Sequence, residues 1–391
     1  MSWLVHHTRS EGYANQAEEF SRRHESDRAA ELYRLAAEAE ANALNNLDPS
    51  KTRTIGITAV SAVSLYFKAQ EFLQARKLAH KWLATDLLPL FAIEELEDLL
   101  QIIRFEESRV KSGIQFIEGE VLVSVKGGEV LYGAAPLELV LRKVDQISKI
   151  FYRTTEMLLD LPLRKRGSPT QDVKKYCDPW LFQAVPGSYQ FSVQVRKPQD
   201  HEQLSLSLPG MSAADVELRV EQITKKFLDV IRAATQDPEG ELIEVVPQED
   251  YRKAFLKSAQ DLAPPVTGKT FNQIEIKSSS DDEPRPVILL PETRSVIKEA
   301  LNKSEPEPPE LPEYKVTSLR GTLRNLHLDD DWLEISINGK SQKIYGAGEE
   351  IDDRVGPMVN RGVVAEVLER SDKSVEKRYS LRDLQLEEDL L

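Results

Sequence analysis

Through the first quarter of the chain, apolar and small residues recur every three or four positions. Over residues 26–47, Ala29, Leu32, Ala36, Ala39, Ala43 and Leu47 share one face, the spacing of an amphipathic helix. Most of these side chains are small, so a neighbouring helix can approach closely. Ser26 or Asp27 supplies the oxygen that caps free N–H groups at the start. Pro49 after Asp48 ends the helix, because proline disfavours helix in the residue before it. Tyr13, Ala17 and Phe20 mark one face of a preceding helix. Further helices are predicted over 52–68, 72–84 and 89–103, the last with Pro89 at its start. Together they make a helical domain over 1–108.

The pattern then changes to alternation. Residues 114–125 alternate and are rich in β-branched side chains. Gly127 and Gly128, followed by Val130, Leu131 and Tyr132, predict a hairpin, since a tight turn needs positive φ. A long helix is expected over 136–159, with Val140, Val144, Ile147, Phe151 and Leu158 as its seam. Another is expected over 213–235, on Val216, Val220, Ile223, Phe227 and Ile231. Strands are expected over 189–195, 271–277 and 287–290, and a helix over 291–302. Strands and helices do not alternate regularly, which predicts a central α+β domain over 109–303. Residues 304–312 read SEPEPPELP. Such a stretch forms neither helix nor ladder, so a linker is set at 304–313. Residues 278–286 read as a second solvated loop.

From 314 to 391, strands are predicted over 316–328, 332–337, 341–345, 363–369 and 378–386. Asn338 and Gly339 form the turn between the second and third, and a short helix fits within 350–358. Three strands, a helix and two strands is the order of an OB-like barrel; another small five-stranded barrel fits the same pattern. The expected fold class is therefore multidomain α+β: an N-terminal α-helical bundle, a central α+β domain and a C-terminal small five-stranded β-barrel.

The first helical pair resembles a tetratricopeptide repeat. Tyr13, Ala17, Phe20, Ala29, Tyr33 and Ala36 stand at that family's large and small packing positions, as do Ala62, Tyr66, Ala75, Ala79 and Trp82 in the second pair. Ala29 and Ala75 lie 46 residues apart, against a family period of about 34, so the helices are longer than usual. Ala17 stands where the family carries glycine. The resemblance covers the first quarter only and implies a protein-binding groove rather than chemistry.

Composition narrows the function classes. The 391 residues are 40% apolar and 30% charged, with a formal net charge of −14. There is enough apolar material for cores. A surface that grips nucleic acid throughout would be basic, so any such contact must be local. No apolar run nears the roughly 20 residues of a membrane span, and the start lacks the basic and long apolar segments of a secretory signal. The single cysteine, Cys177, excludes an intrachain disulfide and a thiolate zinc site. A cytoplasmic location is expected.

No nucleotide motif is present. Gly346-Ala347-Gly348 runs into Glu349 and Glu350, which oppose a phosphate. His6 and His7 read as solvated, and His327 with Asp329, Asp330 and Asp331 as a polar turn. Asp352 and Asp353 read as a solvated pair, with nothing to separate their pKa values. Asp178 beside Cys177 disfavours the thiolate. No catalytic residue, cofactor or metal is predicted. Trp332, Tyr345 and Tyr379 read as core or half-core aromatics, and from Tyr314 onward 12 lysines and arginines face 16 acids, so the barrel has no basic stripe.

The basic loop at 163–175 stands out in so acidic a chain. Arg164, Lys165, Arg166, Lys174 and Lys175 are the predicted contact residues for a phosphate or an acidic partner, and Ser168 before Pro169 is a candidate for modification. The first functional reading is a non-enzymatic interaction or regulatory scaffold that binds a protein partner through its helical domain. The alternative is a nucleic-acid-associated accessory factor using loop 163–175 and the barrel. A third is an enzyme with a composite site in the central domain.

Overall fold

The computed structural model describes residues 2–23, 25–131, 134–183, 189–197, 213–278, 286–304, 314–370 and 378–390. By packing, the chain divides into two units, Met1–Gln115 and Phe116–Leu391. The fold is mixed α+β, a helical run followed by two sheets. Among the described residues no helix is long and apolar enough to cross a membrane.

In the first unit, α1 (Trp3–Arg22), α2 (Ser26–Asn45), α3 (Thr52–Lys68), α4 (Phe72–Leu83) and α5 (Leu90–Ser112) follow one another through short connections, which make consecutive helices antiparallel neighbours. Helix α2 packs on α1 and α3, and α3, α4 and α5 pack together. The alanine seam is spent inside this stack. Ala29, Ala36, Ala39 and Ala43 are buried, and Ala29 and Ala36 join Ala17, Tyr33 and Leu65 in one apolar cluster. Ser10 donates its hydroxyl to the Ala36 carbonyl at 3.0 Å. A second cluster unites Leu44, Ile55, Val63, Trp82, Leu96 and Ile103. Helix α5 outruns the expected end at 103 and stops at Gly113, whose φ of 66° is the left-handed conformation of a helix C-cap. His7 is half-buried and not free in solvent: its Nδ1 lies 3.0 Å from both carboxylate oxygens of buried Glu40, and its ring stacks on Trp3.

The second unit holds a five-stranded antiparallel sheet in the order β2-β3-β1-β4-β5. Its strands are β1 (Val121–Lys126), β2 (Asp178–Gln183), β3 (Tyr189–Arg196), β4 (Gln273–Ser278) and β5 (Val287–Leu289). Its helices are α6 (Leu137–Leu158), α7 (Gln171–Tyr176), α8 (Ala213–Glu221), α9 (Ile223–Gln236), α10 (Glu241–Val245), α11 (Glu249–Leu262) and α12 (Pro291–Ser304). One core binds strand residues Val121, Val123, Phe191 and Ile276 to helix residues Ile147, Phe151, Phe227 and Phe255. Phe151 and Phe227 stack with centroids 4.2 Å apart.

Three expectations are corrected. The run at 114–125 is strand only from Val121, and it does not return as a hairpin. Strand β1 is central, with β3 and β4 on its two edges, so no edge is left for a strand after the turn. Gly127 and Gly128 do take positive φ, 75° and 62°, but they lead the chain out toward α6. The helix at 213–235 is interrupted at Gln222, although Val216, Val220, Ile223, Phe227 and Ile231 are all buried as its seam requires. The end of loop 163–175 is helical: Thr170 caps α7 by accepting from the Val173 N–H at 3.3 Å. Tyr132, His24, His201, most of 278–286 and the linker from 305 lie outside the described residues.

Five strands close into a ring: β6 (Tyr314–His327), β7 (Trp332–Ile337), β8 (Lys340–Tyr345), β9 (Gly362–Arg370) and β10 (Tyr379–Leu386), in the order β10-β8-β7-β6-β9. Asn338 and Gly339 both take positive φ in the turn from β7 to β8. Strand β6 serves two neighbours, β9 along its first part and β7 along its second. At the changeover sits Gly321, where an added Cβ would come within 2.5 Å of the Ser336 carbonyl. Between β8 and β9 the chain makes a short 3-10 turn at Ala347–Glu349, then α13 (Asp352–Val355), then a turn at Gly356–Met358.

Candidate functional site

The segment between β8 and β9 is irregular, so its carbonyls need donors from elsewhere. The basic loop provides them. Arg166 donates from Nη2 to the Gly348 carbonyl at 2.6 Å and to the Leu328 carbonyl at 3.3 Å, and from Nη1 to the Glu350 carbonyl. A guanidinium carries five donors in a fixed fork, which suits this task. Lys165 Nζ reaches Glu349 at 2.6 Å, and its carbonyl accepts from the Asp352 N–H at 3.0 Å. The Gly167 N–H donates to the Asp352 carboxylate at 2.5 Å. Arg164 lies between Glu156, at 2.8 Å, and Asp353, at 3.4 Å. Arg164, Lys165 and Arg166 are thus brought together, as a clamp that the protein's own barrel fills. Lys174 and Lys175 are not part of it; they lie on α7.

Behind the clamp is a joint of buried charge. Arg153, 2% exposed, donates from Nη1 to Ser258 Oγ at 2.6 Å and from Nη2 to Asp353. Asp353 therefore does not belong to a solvated face, contrary to expectation. Arg354, 4% exposed, donates to Asp261 at 2.8 Å, to Glu350 at 3.1 Å and to the Leu384 carbonyl at 3.0 Å. Glu350 also accepts from Lys257 at 2.8 Å. Burial alone would raise the Asp383 carboxyl, but the Arg354 guanidinium and Gln385 outweigh it and hold it below its ordinary value. Charges this deep cost much of their attraction in desolvation, so the joint fixes how the barrel sits more than it adds to stability.

Two hollows flank the joint. A cleft of about 430 Å³ separates α6 from the barrel, with Leu137, Leu141, Pro357, Met358 and Leu386 among its walls. Its charged side chains are ion-paired: Arg361 to Glu138 and to Glu388 outside the lining, Arg142 to Glu388 and Lys149 to Asp145. On the α11 side a smaller hollow, about 190 Å³, is lined by Lys165, Lys253 and Lys257. The outer face of the barrel carries a third grouping. The His327 ring stacks on Trp332 at 4.1 Å, and Lys343 Nζ lies 4.0 Å above Trp332 and 5.2 Å from Tyr345.

Two further sequence candidates are placed by the structure. Cys177 is buried, which pushes its thiol up to about 12, the Asp178 charge adding to the effect. Asp331 accepts from the Gly348 N–H at 2.7 Å, within the polar turn before β7. No group of three or more histidine, cysteine or acidic residues is placed to hold a metal among the described residues. Sequence reasoning missed Arg153, Ser258, Asp261, Lys253, Lys257 and Arg354. They come from α6, α11 and α13, and the only local signal is the i,i+4 pair Lys253 and Lys257. Comparison with protein-family models, with curated proteins and with solved structures finds no match for this chain.

Proposed function

We propose that the chain is a non-enzymatic interaction or regulatory scaffold that takes a protein partner on its helical unit. The observation that carries this reading is at the junction of α3 and α5. Gly56 lies directly against Pro89 and Ala92, where an added Cβ would come within 2.9 Å. Next to these residues Ile57 and Leu90 are 52% and 70% exposed, and Phe91 is also exposed. Exposed apolar side chains around a close helix contact are what a partner would cover. The alanine seam is already occupied, so the contact falls on these other faces. In fold terms we read the stack as tetratricopeptide-like, on its hairpin succession and its small-residue interior. The ring reads as OB-like, on its parallel contact between β8 and β10 and the helix between β8 and β9. The setting is read as cytoplasmic.

The test is capture by the full chain, comparing wild type with the double variant Ile57→Glu, Leu90→Glu. A stoichiometric partner that is lost from the variant, at an unchanged melting temperature, supports the reading. A partner held equally by both removes it. A second reading, a nucleic-acid-associated factor, draws on the Trp332, Tyr345 and Lys343 grouping, since aromatic rings beside a cation stack bases. It draws less on loop 163–175, whose arginines are engaged by the barrel. Single-stranded oligonucleotide binding that weakens with salt and drops in Trp332→Ala would favour it.

A further inference from the structure

The small hollow beside the clamp is built of lysines from two elements. Lys165 comes from the loop, while Lys253 and Lys257 stand one turn apart on α11. Two carboxylates of the barrel segment reach this group, Glu349, bonded to Lys165 at 2.6 Å, and Glu350, bonded to Lys257 at 2.8 Å. The bond to Lys165, with the charges of Lys165, Arg166 and Lys253, holds the Glu349 carboxyl below the ordinary range. Yet its side chain is 87% exposed. A surface pair of this kind contributes little, so Glu349 can leave for solvent at small cost. With Glu349 withdrawn, Asp250 is the carboxylate left in the lining, and Glu249 and Glu350 stand beside Lys253 and Lys257. Lys165 then loses its bonded carboxylate, while Lys253 and Lys257 keep Glu249 and Glu350.

We propose that this hollow is a binding site for a phosphate monoester, and that Glu349 occupies the position its phosphoryl oxygens take. A phosphate dianion offers three acceptor oxygens, one for each lysine. A carboxylate bonded to Lys165 leaves the others to neighbours: Lys253 to Glu249 at 2.9 Å and Lys257 to Glu350 at 2.8 Å. Each ammonium has three donors, so these bonds persist while a second is made to the ligand. Leu163, Ala254, Leu301 and Ile351 complete the lining; they offer apolar contact to the organic part of an ester, which free phosphate lacks. The site is independent of the helical-unit reading and uses none of its residues.

Calorimetric titration of the full chain with phenyl phosphate, inorganic phosphate and sulfate, at constant ionic strength, tests this. Phenyl phosphate should bind, and more tightly than inorganic phosphate. Glu349→Gln, which removes the competing charge, should tighten it by about fivefold. Lys253→Ala, at a partly exposed position, should weaken it by at least about fivefold at an unchanged melting temperature. No heat up to millimolar phenyl phosphate, equal binding of sulfate, or affinity indifferent to both variants overturns the site. Equal binding of inorganic and phenyl phosphate overturns its assignment to an ester.

Discussion

Arg354 Nε on α13 donates to Asp261 Oδ2 on α11 at 2.8 Å, which ties the ring to the helices beside the sheet. The same guanidinium faces Glu350 and Asp383. Arg354→Met would remove the cation that the three acids share, leaving Glu350 with Lys257, and Asp261 and Asp383 without the guanidinium. Breaking a buried pair in this way costs about 3–5 kcal/mol, read as a lowered urea midpoint of the full chain. The loss should depend on pH. Asp383 is depressed in the folded state, so its contribution is complete above the unfolded value of about 3.9 and is lost as pH falls through the lower folded value. The gap between wild type and variant should therefore close in acid. A gap that stays constant down to pH 2 would mean that these carboxylates are not what Arg354 holds.

Arg166→Lys tests the clamp. An ammonium is a compact point charge and cannot reach the Gly348, Glu350 and Leu328 carbonyls from one planar fork. Leaving such acceptors unmet costs about 1–3 kcal/mol. The expected result is a lower thermal midpoint for Arg166→Lys, close to that of Arg166→Ala. A lysine variant as stable as wild type would show that charge alone is sufficient.

The helical run and the ring were largely legible because each is a local pattern. The 52–68 helix and the 332–337 strand match α3 and β7, since a period of 3.6 or 2 and an Asn-Gly turn are read from neighbours in sequence. The hairpin after Gly128 failed because a glycine pair specifies a turn and not what lies beyond it; β3 and β4, far along the chain, already flank β1. Strand β2 was missed although Pro179 suits an edge strand. The basic loop was found by its charge, but its occupant was not. Glu349, Glu350, Asp352 and Asp353 lie more than 170 residues away, and nothing in either stretch names the other.

Cys177 should resist thiol reagents in the native protein. Its thiol is fully buried and raised to about 12, so almost no thiolate exists at pH 8. Labelling by iodoacetamide should be negligible in buffer and rapid in denaturant. Rapid native labelling would place the sulfur near solvent.

Ala36→Leu should damage folding before it damages binding. Ala36 has no exposed surface and packs among Ala17, Ala37 and Tyr33. Added methylenes in such a seam cost about 1–3 kcal/mol, and they also press on the bond from Ser10 to the Ala36 carbonyl. Denaturant unfolding should show the loss, and any partner of the Ile57 and Leu90 face should still bind the folded fraction.

Lys143 offers the sharpest dependence on pH. Its side chain is wholly buried, with Nζ donating to the Asp261 carbonyl at 2.8 Å and lying 4.9 Å from the centre of the Phe271 ring. Burial lowers it to about 7, with Asp389 offsetting part of the effect. The unfolded chain holds the same proton up to about pH 10.4, so between about pH 7 and 10 the unfolded state binds more protons and stability rises with pH. Below that window the folded protein bears the whole cost of a buried charge. Lys143→Met removes the charge at similar length, and at pH 6 should be more stable than wild type by about 1–4 kcal/mol. Toward pH 10 the advantage should shrink and then reverse, because the variant has lost the bond to the Asp261 carbonyl, worth about 1 kcal/mol. Thermal melts of both proteins at pH 6, 8 and 10 decide the matter; a difference that does not change with pH would show that Lys143 is not the titrating group.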